Sequence, residues 1–416
     1  MKIAFVSQPL DGFALPPKSS LTVWTYEVAR RLARSYEVIV YTKGGHWRKQ
    51  VDYIDGVQYR RIPIGLDKGW FKLLERFLGM LKIRYSLFAS FFYYLGYVLQ
   101  VASDLKRQQC DVVHILNFSQ FVPIIRAFNP KIKIVLNMRC EWLTKLNPAM
   151  IERRLNAADL VIGCSEYITE KIRRAFPRFA SRCQTVHNGA DVAYFLPENG
   201  HRVKKENSVT RLLFVGRVSP EKGIHVLLEA FKKVIERFPQ TQLEIVGPIG
   251  AAPFEFIVAL SDNSKVTDLA AFYSGSYFSH LQDRLSNGMT QQVAFRNSVA
   301  HHELLNYYRQ ADIFVFPSVW DEPFGIPPIE AMAAGVPVIA TRTGGIVETV
   351  EDGQTGVLVE PDNPTALADA IQYLLESEET RKAMGKAGRE RAMQLFSYER
   401  VVENLWRQYV SICHGN

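Results

Sequence analysis

The chain of 416 residues exceeds the length at which a single hydrophobic core stops growing, so two domains with a ligand cleft between them are predicted. Hydrophobic residues make up 47% and charged residues 22% of the chain, which excludes a disordered protein, and the net charge is +8. The five cysteines form no CxxC pair and residues 1–7 are too short for a signal peptide, so a reduced, cytoplasmic protein is expected.

Strand-like and helical patterns alternate from the first residues, and this alternation predicts a doubly wound parallel sheet in the first domain. Ser165 is placed to cap a helix that ends before Pro177. The strands predicted in this half are 2–7, 37–42, 111–115, 132–136, 159–163 and 184–188.

A basic segment interrupts the alternation at residues 66–84, where lysine and arginine alternate with aromatic and leucine side chains at helical spacing. Two interpretations stay open: a helix that rests on an anionic membrane surface, or a helix packed on the domain with a solvated basic face. Residues 85–103 are uncharged and barely long enough to span a membrane. A span is rejected because strands on both sides of it belong to one predicted sheet.

The alternation restarts after a polar, basic stretch at residues 197–210, which is the predicted linker. The chain is therefore predicted to form two Rossmann-like domains, 1–195 and 196–395, with a C-terminal helix at 396–416 that returns to the first domain. The strands predicted in the second half are 211–216, 242–247, 291–295, 312–317, 336–341 and 356–360.

Two cations follow the first strand of the second half, in the run from Gly216 and Arg217 to Lys222 and Gly223. Open α/β sheets bind ligands at the carboxyl ends of their strands, so this run predicts a site for an anion such as a nucleoside diphosphate. The alternative is that both cations only pair with acidic residues such as Glu221.

Two carboxylates stand seven residues apart at Glu322 and Glu330, on a loop and in the predicted first turn of the helix that follows. Carboxylates accept hydrogen bonds from vicinal hydroxyls, so one is predicted to hold a ribose and the other a hexose. Backbone amides of Phe324, Gly325 and Ile326 are predicted to bind phosphate oxygens. Charge–dipole capping of the helix is the alternative explanation for the glutamates.

Taken together, these motifs resemble the retaining glycosyltransferases of the GT-B fold, a group that includes sucrose synthases, mannosyltransferases and many bacterial polysaccharide enzymes. The resemblance covers essentially the whole chain. It rests on FVGR with Lys222-Gly223, the glutamates in an E-x7-E motif, EAMAAGVPVIAT, Thr343-Gly344-Gly345 with Glu348, Gly353 and Gly356, and Asn188-Gly189 with Asp191.

This resemblance implies a donor site in the second domain, with Arg217 and Lys222 on the diphosphate of a UDP- or GDP-linked hexose and Glu330 on the ribose. It places Glu322 with Phe324, Gly325 and Ile326 around the sugar and phosphate. The base is expected near Gly247 and the loop at Asn297-Ser298-Val299, and Gly216 is a further donor-binding candidate. It implies no metal and no cofactor beyond the nucleotide sugar as co-substrate.

The first domain departs from the family pattern, because Pro16-Pro17-Lys18-Ser19-Ser20 replaces the paired glycines of many relatives and His114-Ile115-Leu116-Asn117 replaces their His-x-His. The candidate acceptor residues are Ser19, Ser20, Asn117 and Arg139. His114 is a catalytic candidate, and a hydrogen-bonded structural histidine is the alternative.

The function that these features predict is retaining transfer of a hexosyl group to a hydroxyl of a sugar, a lipid-linked sugar or a small molecule, without nucleic acid as a partner. Contact with the inner face of an anionic membrane is the further expectation that the basic segment adds. The alternatives are a sugar-nucleotide epimerase or phosphorylase of the same fold, and a nucleotide-sugar-binding protein without activity.

Overall fold

The computed structural model describes residues 1–10, 12–17, 19–45, 50–65, 67–69, 90–195, 209–285 and 289–414. The predicted basic segment and the predicted linker lie almost entirely outside these residues. The chain forms two compact units, Met1–His187 with Val401–Asn416, and Asn188–Arg400. Each contains one Rossmann-like sheet, so the predicted α/β class with two such domains is confirmed.

The sheet of the first unit has eight strands in the order β3-β4-β2-β1-β5-β6-β7-β8. All neighbours are parallel except β3, which is antiparallel to β4. Its central strands, such as β1, β5 and β7, read as nearly continuous apolar runs because helices cover both faces of a parallel sheet. The strands of this sheet are β1 (Lys2–Val6), β2 (Glu37–Lys43), β3 (Gln50–Ile54), β4 (Val57–Ile62), β5 (Val112–Leu116), β6 (Lys133–Met138), β7 (Leu160–Gly163) and β8 (Cys183–Thr185).

Three of the helices described in the first unit begin at a side-chain cap, given by Ser19, Asn147 and Ser165. Ser165 accepts a hydrogen bond from the amide of Ile168 at 3.1 Å, which confirms the predicted cap. The helices are α1 (Ser20–Leu32), α2 (Leu95–Gln108), α3 (Phe121–Phe128), α4 (Trp142–Lys145), α5 (Pro148–Asn156) and α6 (Glu166–Ala175), followed by a 3₁₀ turn at Pro177–Arg182.

The sheet of the second unit is parallel throughout, in the order β11-β10-β9-β12-β13-β14. Each of its strands lies within two residues of its predicted bounds. They are β9 (Thr210–Val215), β10 (Thr241–Val246), β11 (Val293–Arg296), β12 (Ile313–Phe316), β13 (Val338–Thr341) and β14 (Gly356–Val359).

The remaining helices include several short ones between β10 and β11. Two 3₁₀ turns lie at Pro220–Lys222 and Asp268–Tyr273. The helices are α7 (Ile224–Arg237), α8 (Phe254–Ile257), α9 (Ser264–Thr267), α10 (Tyr277–Asp283), α11 (His301–Gln310), α12 (Ile326–Ala333), α13 (Ile346–Thr349), α14 (Pro364–Glu376), α15 (Glu378–Leu395) and α16 (Tyr398–His414).

Helix α16 packs on the first unit, as the sequence predicted. Its Trp406 ring stacks on Tyr36 with centroids 4.2 Å apart, and its Tyr409 is fully buried. The segment that begins at Asn188 belongs to the second unit instead, because the amide of Ala190 donates to the carbonyl of Phe396 at 2.9 Å. Among the helices that the structure describes, none is long and apolar enough to cross a membrane.

Both sheets reverse their strand order at the centre, between β1 and β5 in the first and between β9 and β12 in the second. At such a reversal the loops that leave the two strands diverge and open a crevice outside their carboxyl ends. These two edges are where the fold favours ligand binding.

Candidate active site

The loops that leave β9 and β12 pack directly on each other at the reversal point of the second sheet. Gly223 ends the β9 loop with φ of +70°, and a Cβ on this residue would lie 1.9 Å from the carbonyl oxygen of Pro317. The amide of Val319 donates to the carbonyl of Glu221 at 2.9 Å. Only glycine permits this approach, and it brings the Lys222 turn onto the β12 loop.

An ion pair joins these two loops. The Nζ of Lys222 lies 2.5 Å from Oε1 of Glu322, although the two residues are 100 positions apart. The hydroxyl of Ser318 donates to the same oxygen at 2.5 Å, and Glu322 is 4% exposed. The Lys222 ammonium also lies 5.6 and 5.3 Å from the ring centroids of Phe316 and Trp320. The pair is thus held where attraction between charges is little screened by water.

Arg217 stands at the same edge but is exposed. The structure shows it without a hydrogen bond or ion pair to any residue that it describes. Glu221, the partner that the alternative interpretation gave to the two cations, is 1% exposed and accepts instead from the hydroxyl of Ser219. Two cations therefore converge on the β9 edge, one paired with Glu322 and one open to solvent.

The backbone around Glu322 is fixed by the loop that follows β13. The amide of Gly345 donates to the carbonyl of Glu322 at 2.7 Å. Gly344 has φ of +48°, and a Cβ there would lie 2.1 Å from that carbonyl oxygen. The Thr343-Gly344-Gly345 motif thus positions the loop that carries Glu322. This close backbone contact explains why glycine is needed in the motif.

Helix α12 begins at Ile326, so the two prolines lie within its first turn and Glu330 is its fifth residue. The prediction that Glu330 lies in the first turn is wrong, because the helix starts before the prolines instead of after them. The capping explanation for the glutamates loses support for the same reason. Among the described residues, no group accepts a hydrogen bond from the amides of Gly325 and Ile326, the first groups of the helix.

Glu330 is 5% exposed and accepts a hydrogen bond from the hydroxyl of Tyr308, with 2.8 Å between the phenol oxygen and Oε2. Tyr308 lies on α11 and is fully buried. Burial, and next to it the charge of Glu330, raise the pKa of Tyr308 well above its ordinary value, so the phenol stays a proton donor.

Gly216 and the two residues predicted near the nucleotide base, Gly247 and Val299, lie along one side of this edge. The amide of Gly216 donates to the carbonyl of Val246, and the amide of Gly247 donates to the carbonyl of Arg296, both at 3.0 Å. Val299 is half-buried in the loop between β11 and α11. The ends of β9, β10 and β11 are thereby tied together next to Arg217.

The candidates of the first unit are arranged differently. His114 is fully buried in β5, and its Nδ1 lies 2.7 Å from the hydroxyl of Tyr409. Its Nε2 has no partner among the described residues. Burial, and secondarily the charge of Arg139, lower the pKa of His114 to about 3, so the imidazole is neutral. This is the environment of a hydrogen-bonded core histidine, and a catalytic role for His114 stays a prediction.

The candidate acceptor residues have structural contacts of their own. Ser19 caps α1 by accepting from the amide of Thr22 at 3.3 Å, while Ser20 is the exposed first residue of that helix. Asn117 is buried with φ of +60°, and its side-chain oxygen accepts from the amide of Arg139 at 2.7 Å. The structure thus joins Asn117 to Arg139, and the acceptor role of all four residues stays a prediction.

The sequence patterns do not single out Ser318 and Tyr308, two residues of the candidate site in the second unit. Ser318 follows β12 at the ligand-binding edge, which was a usable signal. Tyr308 lies on the apolar side of its helix and reads as an ordinary core residue. In the part of the chain that the structure describes, no three His, Cys, Asp or Glu side chains group as a metal ion would need.

Comparison with known proteins matches both halves of the chain to glycosyltransferases. The profile described as Glycosyl transferases group 1 matches residues 198–391, and that described as Glycosyltransferase Family 4 matches residues 21–194. Spore coat protein SA of Bacillus subtilis strain 168 is 30% identical over 98% of this chain and 99% of its own length.

Solved structures of similar fold cover the whole chain. Sucrose-phosphate synthase from Thermosynechococcus elongatus aligns over 100% of both chains with a TM-score of 0.72 and 22% identity. HepE of Anabaena, solved in complex with UDP and glucose, aligns over 99% of this chain and 100% of its own with a TM-score of 0.68 and 20% identity. At such identities the likeness shows the shared fold.

Proposed function

This chain belongs to glycosyltransferase family 4 and has its GT-B fold, and we propose that it transfers a hexosyl group from a nucleoside diphosphate sugar to an acceptor hydroxyl with retention of configuration. The observation that carries the proposal is that Arg217 and the Lys222–Glu322 ion pair lie together where the strand order of a parallel sheet reverses. The structure of HepE, which has the same fold, was solved with UDP and glucose. That complex supports a uridine or related nucleotide as part of the donor.

In the proposed complex, Arg217 and Lys222 bind the donor diphosphate. Arginine offers a planar fork of donors and lysine a compact charge, so together they match two linked phosphates. Lys222 exchanges part of its contact with Glu322 for the phosphate oxygens, and Glu322 then faces the hydroxyls of the hexose. The open amides of Gly325 and Ile326, with that of Phe324, support the phosphate or sugar.

Glu330 holds the ribose hydroxyls in this proposal, Gly247 and Val299 line the base, and Gly216 is a further donor contact. The acceptor hydroxyl attacks the anomeric carbon on the face that the diphosphate leaves. The bond from that carbon to the phosphate oxygen breaks with its electron pair on the diphosphate, and a phosphate oxygen takes the acceptor proton. The cations stabilise the charge that develops on the leaving group, so the step needs no metal and no protein base.

The first unit supplies the acceptor contacts, with Asn117 and Arg139 as the pair that the structure brings together and Ser19 and Ser20 as further candidates. His114 receives no chemical step, because its ring is fully buried and tied to Tyr409. A cytoplasmic location and contact of residues 66–84 with an anionic membrane stay predictions, as do a lipid-linked acceptor and the identity of the sugar.

A thermal-shift screen against UDP, GDP and ADP tests the donor. A nucleotide at about 100 times its dissociation constant adds about 2.7 kcal/mol of stability, and we expect one base to stand out.

The corresponding hexose donor is then incubated with a panel of sugars in the presence of a chelator. Release of diphosphate that requires both donor and acceptor supports the proposal, whereas donor conversion without acceptor indicates an epimerase or phosphorylase. Nucleotide binding with no turnover on any acceptor indicates an inactive binding protein.

A further inference from the structure

Tyr308 is placed to control the geometry of the carboxylate at position 330. Its hydroxyl donates to Oε2 of Glu330 at 2.8 Å, and both side chains are buried. A buried carboxylate is unfavourable unless hydrogen-bond donors surround it, so this contact stabilises the side chain that is proposed to accept hydrogen bonds from the ribose hydroxyls. The phenol is the donor in this pair, since an ionised carboxylate only accepts.

The Tyr308 ring is itself held on two sides. Phe195 meets it edge to face with centroids 5.5 Å apart and an interplanar angle of 88°. Phe314, on β12, lies 5.7 Å away at 47°. A ring fixed in this way presents its hydroxyl in one direction, and the direction of the hydroxyl limits rotation of the Glu330 carboxylate.

We infer that Tyr308 is a positioning residue for recognition of the donor ribose, acting by holding the Glu330 carboxylate in the orientation that accepts both ribose hydroxyls. This inference rests on the proposed role of Glu330. A carboxylate that can turn freely loses conformational entropy when it forms two hydrogen bonds to the ribose at once. This loss lowers the affinity that the two bonds provide. Tyr308 therefore contributes to discrimination between ribose and 2′-deoxyribose more than to binding of the phosphates or the base.

The test compares Tyr308→Phe with the parent by calorimetric binding of the preferred nucleoside diphosphate and its 2′-deoxy form. The substitution keeps the ring and its contacts with Phe195 and Phe314, so the melting profile reports whether the core is intact. Tyr307→Phe, on the same helix and half-buried, is the matched control. The ratio of the two dissociation constants is the readout, since a loss of general stability would weaken both nucleotides alike.

The parent is expected to prefer the ribonucleotide, and Tyr308→Phe is expected to reduce that preference by about 3- to 10-fold with little change for the deoxynucleotide. Tyr307→Phe should keep the parental ratio. If Tyr308→Phe keeps that ratio as well, the positioning role is wrong while the ribose role of Glu330 stands. If the parent itself does not discriminate between the two nucleotides, the ribose role of Glu330 is wrong and the inference is overturned with it.

Discussion

The two sheets reverse their strand order in the same way, yet the edges at which they do so carry different chemistry. At the edge between β9 and β12, Lys222 and Glu322 form an ion pair and Arg217 is open to solvent. Near the edge between β1 and β5, the polar groups of Trp24 and His114 are neutral and fully buried. A common topology therefore offers two places for a ligand, and only the side chains say what each place can bind.

The difference also appears in how each edge satisfies its polar atoms. Nε1 of Trp24, Nε2 of His114 and Oδ1 of Asn137 are buried without a partner among the described residues. In the second unit, Glu322 and Glu330 each accept from a neighbouring hydroxyl. Nε1 of Trp320, beside Lys222, is also buried without a partner among the residues that the structure describes, so the difference between the edges lies in the paired carboxylates of the second.

The largest effect is expected for Lys222→Ala. Negative charge grows on the leaving diphosphate as the glycosidic bond breaks, so the cation binds the transition state more strongly than the ground state. Its loss should lower kcat about 10²- to 10³-fold, measured by steady-state kinetics. Lys232→Ala, on the exposed side of α7, is the control and should behave as the parent.

Lys222→Ala also leaves Glu322 buried without its cation, which is expected to lower the stability by roughly 3 kcal/mol. The double variant Lys222→Ala with Glu322→Gln removes this charge, so it should regain stability without regaining activity. A rise in KM with kcat intact would show that Lys222 contributes only uniform binding, and would remove leaving-group stabilisation from the second edge.

A smaller effect is expected for Glu330→Gln. The amide offers one acceptor where the carboxylate offers two charged oxygens, so the affinity for the nucleoside diphosphate should fall by about 1.5–3 kcal/mol. Tyr308 can still donate to the amide oxygen, and the melting profile should stay near that of the parent. Glu236→Gln, exposed on α7, is the control for binding measured by calorimetry. Unchanged affinity in a folded Glu330→Gln protein would place the ribose elsewhere.

The extent to which sequence predicted these regions follows from the range of the interactions that build them. Alternating strand and helix patterns are local, and they predicted nearly all strands of both sheets. The hairpin of β3 and β4 was missed, although Asp55-Gly56 supplies the two positive-φ residues that such a turn requires. The alternation of apolar and polar side chains is weak in this hairpin, because β3 is an edge strand with mostly exposed residues.

For the candidate site, the sequence singles out the residues that stand in motifs and does not reveal the contacts that are long-range. Arg217, Lys222, Glu322 and Glu330 came from motifs, but the ion pair across 100 residues and the Tyr308 contact across 22 residues depend on tertiary packing. In the first unit, spacing could not tell a buried His114 from a reactive one, because that distinction is set by the helix α16 that covers it.

The smallest effect is expected at the edge between β1 and β5, where burial lowers the pKa of His114 to about 3. In the unfolded chain the pKa of a histidine is about 6.5, so between these values only the unfolded state binds the extra proton. The contribution of this group to stability is therefore unchanged above about pH 6.5 and becomes unfavourable as the pH falls toward 3. The free energy of unfolding should decline by up to about 1.4 kcal/mol for each pH unit, measured by denaturant titration.

His114→Asn removes the titrating group and should flatten this slope between pH 5 and 6.5. His225 gives the matched comparison, since it is buried in the second unit with its Nδ1 2.9 Å from the Tyr277 hydroxyl, and burial lowers its pKa to about 3 as well. His225→Asn should flatten the slope of the second unit only.

Since a core histidine touches no reacting atom, kcat of His114→Asn should stay within about tenfold of the parent, below the 10²- to 10⁴-fold effect of a general base. A larger loss of kcat with an unchanged pH slope would show that His114 titrates in the folded protein and takes part in the reaction, and the first edge would then be as chemically active as the second.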